Sequence, residues 1–147
     1  MRQEYTPFGR KVRRDIGEPS NTENQDKLYQ EDSMKKKVYI AGKIGEDYPS
    51  EATLLKFDRA ELFLLSIGCN TFNPTRSGLG EKAESMAKKK GTDFYREIML
   101  LDLEALAGCD AIYMLPDWIE SPGAIVEFNF ALAIGLEVMY ENYDKNE

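Results

Sequence analysis

The chain has 147 residues, of which 42% are hydrophobic, and it carries a formal net charge of −7. This length predicts one domain with a single core, and the negative charge argues against nucleic-acid binding through a basic surface. The sequence contains no histidine, which excludes serine–histidine and cysteine–histidine catalysis and a conventional zinc site. Any acid, base or nucleophile is therefore a carboxylate, a tyrosine, a lysine or a cysteine. The two cysteines, Cys69 and Cys109, are expected to be buried thiols.

Residues 1–34 are rich in charged and amide side chains, and their few apolar residues follow no period. Such a segment buries too little apolar surface to offset the entropy of ordering it. We therefore predict a flexible N-terminal extension at 1–34 and a folded domain at 35–147. The opening residues are polar and no apolar run approaches twenty residues, so we expect a cytoplasmic protein without a signal peptide or a membrane span.

Strand and helix patterns alternate after residue 35. In chain order, the predicted elements are strand 38–42, helix 50–67, strand 70–72, helix 93–106, strand 110–115, helix 122–134 and strand 137–140. The core face of the first helix is predicted from four residues near a 3.6-residue period, namely Leu54, Phe57, Leu62 and Leu65. Residues 75–91 show no clear core face and are predicted to be a mobile loop, of a length often found in active-site lids.

The alternation of strands with helices of ten or more residues indicates βαβ units and a parallel sheet. We predict an α/β fold: a single three-layer domain with a parallel, four- to five-stranded, flavodoxin- or Rossmann-like sheet. Ligands of such sheets bind beyond the carboxyl ends of the strands. Here that edge would gather residues 42–47, 73–76 and 116–123.

Glu127 is the only ionisable residue between Ser121 and Leu136, in a helix that is apolar nearly all round. Such a helix is expected to be buried on more than one side, where a carboxylate is costly unless it is paired or used. Glu127 is either a structural acceptor for a neighbouring loop or a catalytic group. Asp102 repeats the pattern on the preceding helix, although it could also be a solvated acid paired with Lys or Arg. Two carboxylates that meet in one pocket would fit a nucleophile and a general acid at an acetal-like carbon.

The region before the last helix offers candidate binding groups. Trp118, the only tryptophan of the chain, can stack on a base or pack at the sheet edge. Ser121 is expected to cap the helix, and with the free amides at Gly123 and the next residue it can seat an oxyanion or a phosphate. The segment Gly42-Lys43-Ile44-Gly45 contains glycine but matches no P-loop or dinucleotide fingerprint.

Several of these segments together resemble the nucleoside 2-deoxyribosyltransferase superfamily: Tyr39-Ile-Ala-Gly42, Asn73-Pro74, Asp102, and the stretch from Tyr113 to Glu127. Within it, the chain is similar to a DUF4406-like branch of small phage and bacterial proteins of uncharacterised function. The core pattern of that branch is Tyr-Met-Leu-Pro-x-Trp-x-x-Ser-x-Gly-Ala-x-x-Glu. Every named position of the pattern is filled between Tyr113 and Glu127.

The resemblance implies roles for individual residues. Glu127 falls on the family's nucleophile, which would attack C1′ of a deoxyribosyl group and expel the base. Asp102 falls on the family's helix aspartate, which would donate a proton to the leaving base. Tyr39 matches an aromatic residue that lines the sugar pocket in related hydrolases. The further candidates for substrate binding are Gly42, Lys43, Asn73, Trp118, Ser121 and Gly123.

One position departs from the transferase pattern. Transferases of free nucleosides usually carry an aspartate six residues before the nucleophile, where this chain has Ser121. A serine there resembles the related deoxynucleoside 5′-monophosphate N-hydrolases, in which it helps to seat the phosphate, although their arginine is not evident at 43–47. We expect an N-glycosidic enzyme that acts on a (deoxy)nucleoside or its 5′-monophosphate, as a hydrolase or a deoxyribosyltransferase.

Two other functions stay open. One is a non-catalytic nucleotide-binding or sensing module of the same fold, and the other is a scaffold subunit that uses the last helix as a contact. The resemblance implies a homo-oligomer, a dimer or larger, and an apolar helix needs more cover than one small sheet supplies. We expect a small-molecule nucleoside or nucleotide as partner, and no nucleic acid, membrane, cofactor or metal.

Overall fold

Four parallel strands form a single sheet in the computed structural model, which describes residues 35–45 and 49–142. The strands are β1 (Lys37–Ala41), β2 (Asn70–Phe72), β3 (Ala111–Met114) and β4 (Glu137–Tyr140). Their spatial order is β2-β1-β3-β4, and all three neighbouring pairs are parallel. The predicted α/β class is confirmed. The predicted flexible extension at 1–34 lies outside the described residues.

Among the described residues, four α-helices connect and cover the strands: α1 (Glu51–Ser66), α2 (Leu79–Lys90), α3 (Phe94–Ala107) and α4 (Pro122–Ala133). Two short 3-10 helices lie at Pro74–Arg76 and Trp118–Glu120. Serines cap two of the α-helices, since Ser50 accepts a hydrogen bond from the Thr53 amide and Ser121 accepts one from the Ala124 amide. These bonds satisfy amides that have no partner within the helix. Within the described part of the chain, no helix has the length and apolarity needed to cross a membrane.

The core has two halves, one on each face of the sheet. Alternate residues of a strand point to opposite faces. Accordingly, Val38 and Ile40 pack with the buried residues of α1, whereas Tyr39 and Ala41 belong to the half formed with α3 and α4. The predicted three-layer arrangement follows from this division. It places α3 and α4 on the same face of the sheet, over the central strands.

Residues 75–91, predicted to be a mobile loop, instead contain α2, so that prediction was wrong. Gly78 and Gly91, at φ of 78° and 70°, flank the helix. Ala83 and Ala87 are buried, and α2 packs against α3. The sequence pattern did not predict this helix, because its core face consists of alanines one turn apart, which give only a weak apolar period.

The predicted core face of α1 was also partly wrong. Leu62 and Leu65 are exposed, and the buried residues are Phe57, Ala60 and Leu64. These three share one side of the helix at spacings of three and four residues. An apolar-rich helix such as α1 offers several candidate faces, and contact with the sheet selects one of them.

In the single chain, the helix α4 is buried on one of its sides, and not on several as predicted. Its buried residues are Ala124, Glu127 and Ala131, whereas Ile125, Val126 and Leu132 are exposed. The sheet of one chain covers only the inner side of this helix. The outer side therefore presents large apolar side chains to the surroundings.

The strand order creates a topological switch point between β1 and β3. The chain leaves β1 through α1 to reach β2 on one side, and it then returns through α2 and α3 to β3 on the other side. In α/β sheets, ligands bind at such a point, beyond the carboxyl ends of the strands. Pairing continues past the strand ends, because the Leu115 amide donates to the Ala41 carbonyl at 2.8 Å.

Gly42 approaches Leu115 so closely that a β-carbon at position 42 would lie 2.7 Å from Cδ1 and 2.9 Å from Cβ of that leucine. Leu115 is fully buried, so its side chain cannot move aside without disturbing the core. We expect Gly42→Ala to lower the free energy of unfolding by about 1–3 kcal/mol, as measured by urea denaturation. Gly80→Ala is the matched control, since an added β-carbon there meets nothing within 4 Å. Equal losses of stability in both variants would contradict the close approach.

Candidate active site

Glu127 is buried on the side of α4 that faces the sheet, with 7% of its surface exposed. The hydroxyl of Tyr39, in the middle of β1, donates a hydrogen bond of 2.8 Å to Oε2 of Glu127. Tyr39 is fully buried and stacks on Phe72 with ring centroids 5.1 Å apart. A side chain fixed in the core therefore orients one oxygen of Glu127. The predicted pocket-lining role of Tyr39 would be limited to its hydroxyl.

The pKa values of Glu127 and Asp102 are both raised towards neutrality. Burial, with a contribution from the negative charge of Asp102, raises the pKa of Glu127 to about 8, against the opposing effect of the Tyr39 hydrogen bond. Burial also raises the pKa of Asp102, on α3, to about 7. The pKa of Tyr39 lies well above its usual value because of burial and the nearby carboxylates. Tyr39 on β1, Asp102 on α3 and Glu127 on α4 thus form one cluster of groups that influence each other's pKa values.

Two carboxyl groups with pKa values near neutrality hold one proton between them over that range. The ionised member can act as a nucleophile or base, and the protonated member can act as an acid. Asp102 takes part in none of the ion pairs observed among the described residues. In this part of the chain, nothing supports the interpretation of Asp102 as an acid paired with lysine or arginine.

The predicted contacts around the start of α4 have defined structural roles. Ser121 Oγ accepts a hydrogen bond of 3.1 Å from the amide three residues later, so this oxygen caps the helix. A β-carbon on Gly123 would lie 3.3 Å from Cε of Met99 on α3, so glycine permits close packing of the two helices here. Trp118 packs against Phe128 with ring centroids 4.6 Å apart, as the edge-packing interpretation requires. Stacking of Trp118 on a base stays a prediction.

Gly42 and Lys43 are held against the loop that follows β3. The Lys43 amide donates to Oδ1 of Asp117 at 3.0 Å, and Nζ of Lys43 lies 3.4 Å from Oε1 of Glu120. Nζ of Lys56, on α1, donates to Oδ2 of Asp117 at 2.5 Å and to the Lys43 carbonyl at 2.7 Å. Sequence reasoning missed Asp117 and Lys56. The position of Asp117 on the predicted ligand edge was a usable signal, whereas no pattern marks Lys56.

The side chain of Asn73 is fully occupied by contacts within the protein. Its nitrogen donates to Oδ1 of Asp58 at 3.1 Å and to Oε1 of Glu61 at 3.0 Å. Its oxygen accepts from the amide and the hydroxyl of Thr75 at 3.0 and 2.7 Å. A carboxamide offers two donor hydrogens and two acceptor positions, and all four are used. Asn73 therefore orders the edge beyond β2, and a substrate contact through its side chain would require these bonds to break.

No other described residues assemble an evident reactive centre. Across 35–45 and 49–142, no group of three or more cysteine or acidic side chains could hold a metal ion. Cys69 and Cys109 are buried as predicted, and burial raises the pKa of Cys109 to about 11, which keeps its thiol protonated and unreactive. Glu127 and Asp102 are therefore the strongest candidates for nucleophile and acid. That the chain needs no cofactor stays a prediction.

Comparison with known proteins identifies one family. The model of a family described as a domain of unknown function (DUF4406) matches residues 36–140, which span the sheet from β1 to β4. No curated protein matches the chain. The family description names no activity, so the roles of Glu127 and Asp102 and the wider resemblance to nucleoside 2-deoxyribosyltransferases stay predictions.

Proposed function

The chain belongs to the DUF4406 family, and we propose that it is an N-glycosidic enzyme with Glu127 as nucleophile and Asp102 as general acid. The proposal is carried by the buried Glu127 and the half-buried Asp102, which interact electrostatically, and by Tyr39, which fixes one oxygen of Glu127. Burial of two carboxyl groups near each other costs free energy, and groups perturbed in this way cluster at functional sites. The resemblance to nucleoside 2-deoxyribosyltransferases supplies the class of reaction.

In the proposed reaction, Oε1 of Glu127 attacks C1′ of the sugar while the bond between C1′ and the base nitrogen breaks. The electron pair of that bond leaves with the base, and the carboxyl group of Asp102 donates a proton to the base. The first products are free base and an ester between C1′ and Glu127. Water then attacks C1′, Asp102 takes a proton from this water, and Glu127 leaves as a carboxylate. A second base in place of water would give transfer.

The proposed substrate is a (deoxy)nucleoside or its 5′-monophosphate. Ser121 caps α4, and the amino terminus of a helix favours a nearby anion. An aspartate at this position would repel a 5′-phosphate, whereas serine adds no charge. This difference favours a 5′-monophosphate over a free nucleoside, and hydrolysis over base exchange between nucleosides. A cytoplasmic location belongs to the same proposal.

A homo-oligomer, a dimer or larger, is also part of the proposal. The exposed apolar side chains of α4 are Ile125, Val126 and Leu132. Such a surface is a candidate contact between subunits. Because it lies on the helix that carries Glu127, a neighbouring subunit bound there would stand beside the site. A pure monomer in sedimentation would count against this part of the proposal.

A non-catalytic nucleotide-binding or sensing module is the second candidate. It is favoured by the raised pKa of Glu127, about 8, because a carboxyl group with this pKa is mostly protonated at neutral pH. A protonated carboxyl group can donate a hydrogen bond to a ligand but is a poor nucleophile. In that case, Glu127 and Asp102 would bind the ligand through hydrogen bonds without reacting with it.

Incubation with each deoxynucleoside and each deoxynucleoside 5′-monophosphate separates these functions, with chromatography of the products. We expect release of free base from at least one monophosphate, and little transfer when a second base is added. Binding of a monophosphate without release of base would favour the sensing module. Efficient exchange of bases between free nucleosides would contradict the inference drawn from Ser121.

A further inference from the structure

Asp117 links three parts of the chain at the switch point. Its Oδ1 accepts the Lys43 amide from the loop after β1, and its Oδ2 accepts Nζ of Lys56 from α1. Nζ of Lys56 also donates to the carbonyl of Lys43, which closes a ring of three hydrogen bonds. We call this ring the Asp117 clamp: the side chains of Asp117 and Lys56 and the backbone of Lys43.

The Lys56–Asp117 pair of the clamp is more sheltered from water than the neighbouring Lys43–Glu120 pair. The side chains of Lys56 and Asp117 are 28% and 26% exposed, whereas those of Lys43 and Glu120 are 47% and 62% exposed. Hydrogen bonds between charged groups that are partly shielded from water are stronger than those at a fully solvated surface. Both oxygens of Asp117 are engaged. Asp117 is therefore suited to hold the two loops together.

The clamp continues the pairing of β1 and β3 beyond the sheet. The last backbone hydrogen bond of this pairing joins Leu115 to Ala41. Beyond it, the segments that follow β1 and β3 form the loops on either side of the switch point. The clamp joins the two segments again two residues further on, at Lys43 and Asp117. It thereby fixes the separation of these loops. Trp118, the neighbour of Asp117, packs against Phe128, which follows Glu127 in α4. The segment that precedes α4 is thus joined both to α4 and to the loop after β1.

We propose that Asp117 and Lys56 are positioning residues, which hold the two loops at the spacing that binds substrate. This inference rests on the proposed function, because it places the sugar or its phosphate at the carboxyl edge of the sheet, beside these loops. The clamp touches neither Glu127 nor Asp102, whose orientation comes from the core. Loss of the clamp should therefore weaken substrate binding and leave the chemical step nearly intact.

The test compares Asp117→Asn and Lys56→Met with Lys36→Met, in the full chain. Asparagine keeps one acceptor for the Lys43 amide but cannot accept from Lys56. Lys36→Met is the matched control, because it removes a 2.7 Å ion pair with Glu137 at the opposite edge of the same sheet. We expect KM for base release to rise about tenfold in both clamp variants, with kcat within about threefold of wild type. The double variant should be little worse than either single variant, because the two residues act as one unit.

A clamp that serves stability alone would give a different result. It would reduce the active fraction, and hence apparent kcat, at an unchanged KM. Unchanged KM in both clamp variants, with wild type active, would overturn the inference. If wild type binds a 5′-monophosphate but releases no base, the proposed reaction fails. Calorimetry of monophosphate binding then tests the positioning role of the clamp. A Kd that is tenfold weaker in Asp117→Asn than in wild type supports this role, and an equal Kd overturns it. Absence of both binding and release would overturn the reaction and the clamp together.

Discussion

Glu127→Gln is expected to lower kcat for base release by at least about a thousandfold. The substitution preserves the size of the side chain and retains an oxygen that can accept the Tyr39 hydrogen bond. The fold and the placement of the side chain should therefore persist. A carboxamide oxygen, however, is a far weaker nucleophile than a carboxylate oxygen, so the ester with C1′ should not form. Chromatography of free base at saturating substrate measures the loss.

Glu104→Gln is the matched control for this experiment. Glu104 lies on α3, two residues after Asp102, and its side chain is exposed. We expect this variant to keep kcat within about twofold of wild type, as is usual for substitutions at exposed positions. If Glu127→Gln retained more than about a tenth of the wild-type kcat, Glu127 could not be the nucleophile.

A bell-shaped pH dependence of kcat/KM is expected, with its maximum between the two raised pKa values. The reaction needs one proton on the carboxyl pair, carried by Asp102, and an ionised Glu127. Because the pKa of Asp102 is raised to about 7 and that of Glu127 to about 8, the singly protonated pair prevails between these values, with its proton mainly on Glu127. The reactive arrangement, with the proton on Asp102, is the minor form of that pair and follows the same pH dependence. At lower pH a second proton blocks the nucleophile, and at higher pH the acid is lost. Each limb should approach a tenfold change per pH unit.

Asp102→Asn separates the two limbs of this profile. In this variant Glu127 is the one titrating group of the pair, so kcat/KM should rise with pH along a single acidic limb as Glu127 ionises. The alkaline limb should disappear, because the carboxyl group that serves as the acid is gone. An alkaline limb that persists in Asp102→Asn would contradict the assignment of Asp102 as the acid.

Features encoded over short stretches of sequence were predictable. The strands β1 and β3 are buried apolar runs, and the start of α4 carries the capping serine Ser121. Each depends on residues within one or two turns of each other, so that a period or a cap specifies it. The same reasoning identified Glu127 and Asp102 as carboxyl groups in apolar helix surroundings.

Features that depend on distant residues were not predictable in the same way. The Tyr39–Glu127 hydrogen bond joins residues 88 positions apart, and the Lys56–Asp117 contact joins residues 61 apart. Local patterns identify neither contact, because each arises from the order in which the strands assemble. The helix α2 was missed for a different reason: its buried alanines give little apolar contrast with their neighbours.

The central claim is that Glu127 forms a bond to C1′, and its most direct test is mass spectrometry of protein quenched during turnover. We expect a sugar ester on the peptide that contains Glu127, with the phosphate retained when the substrate is a 5′-monophosphate. The adduct should be absent from Glu127→Gln. Release of base without any such adduct, together with inverted configuration at C1′ of the released sugar, would show direct attack by water and would contradict a nucleophilic Glu127.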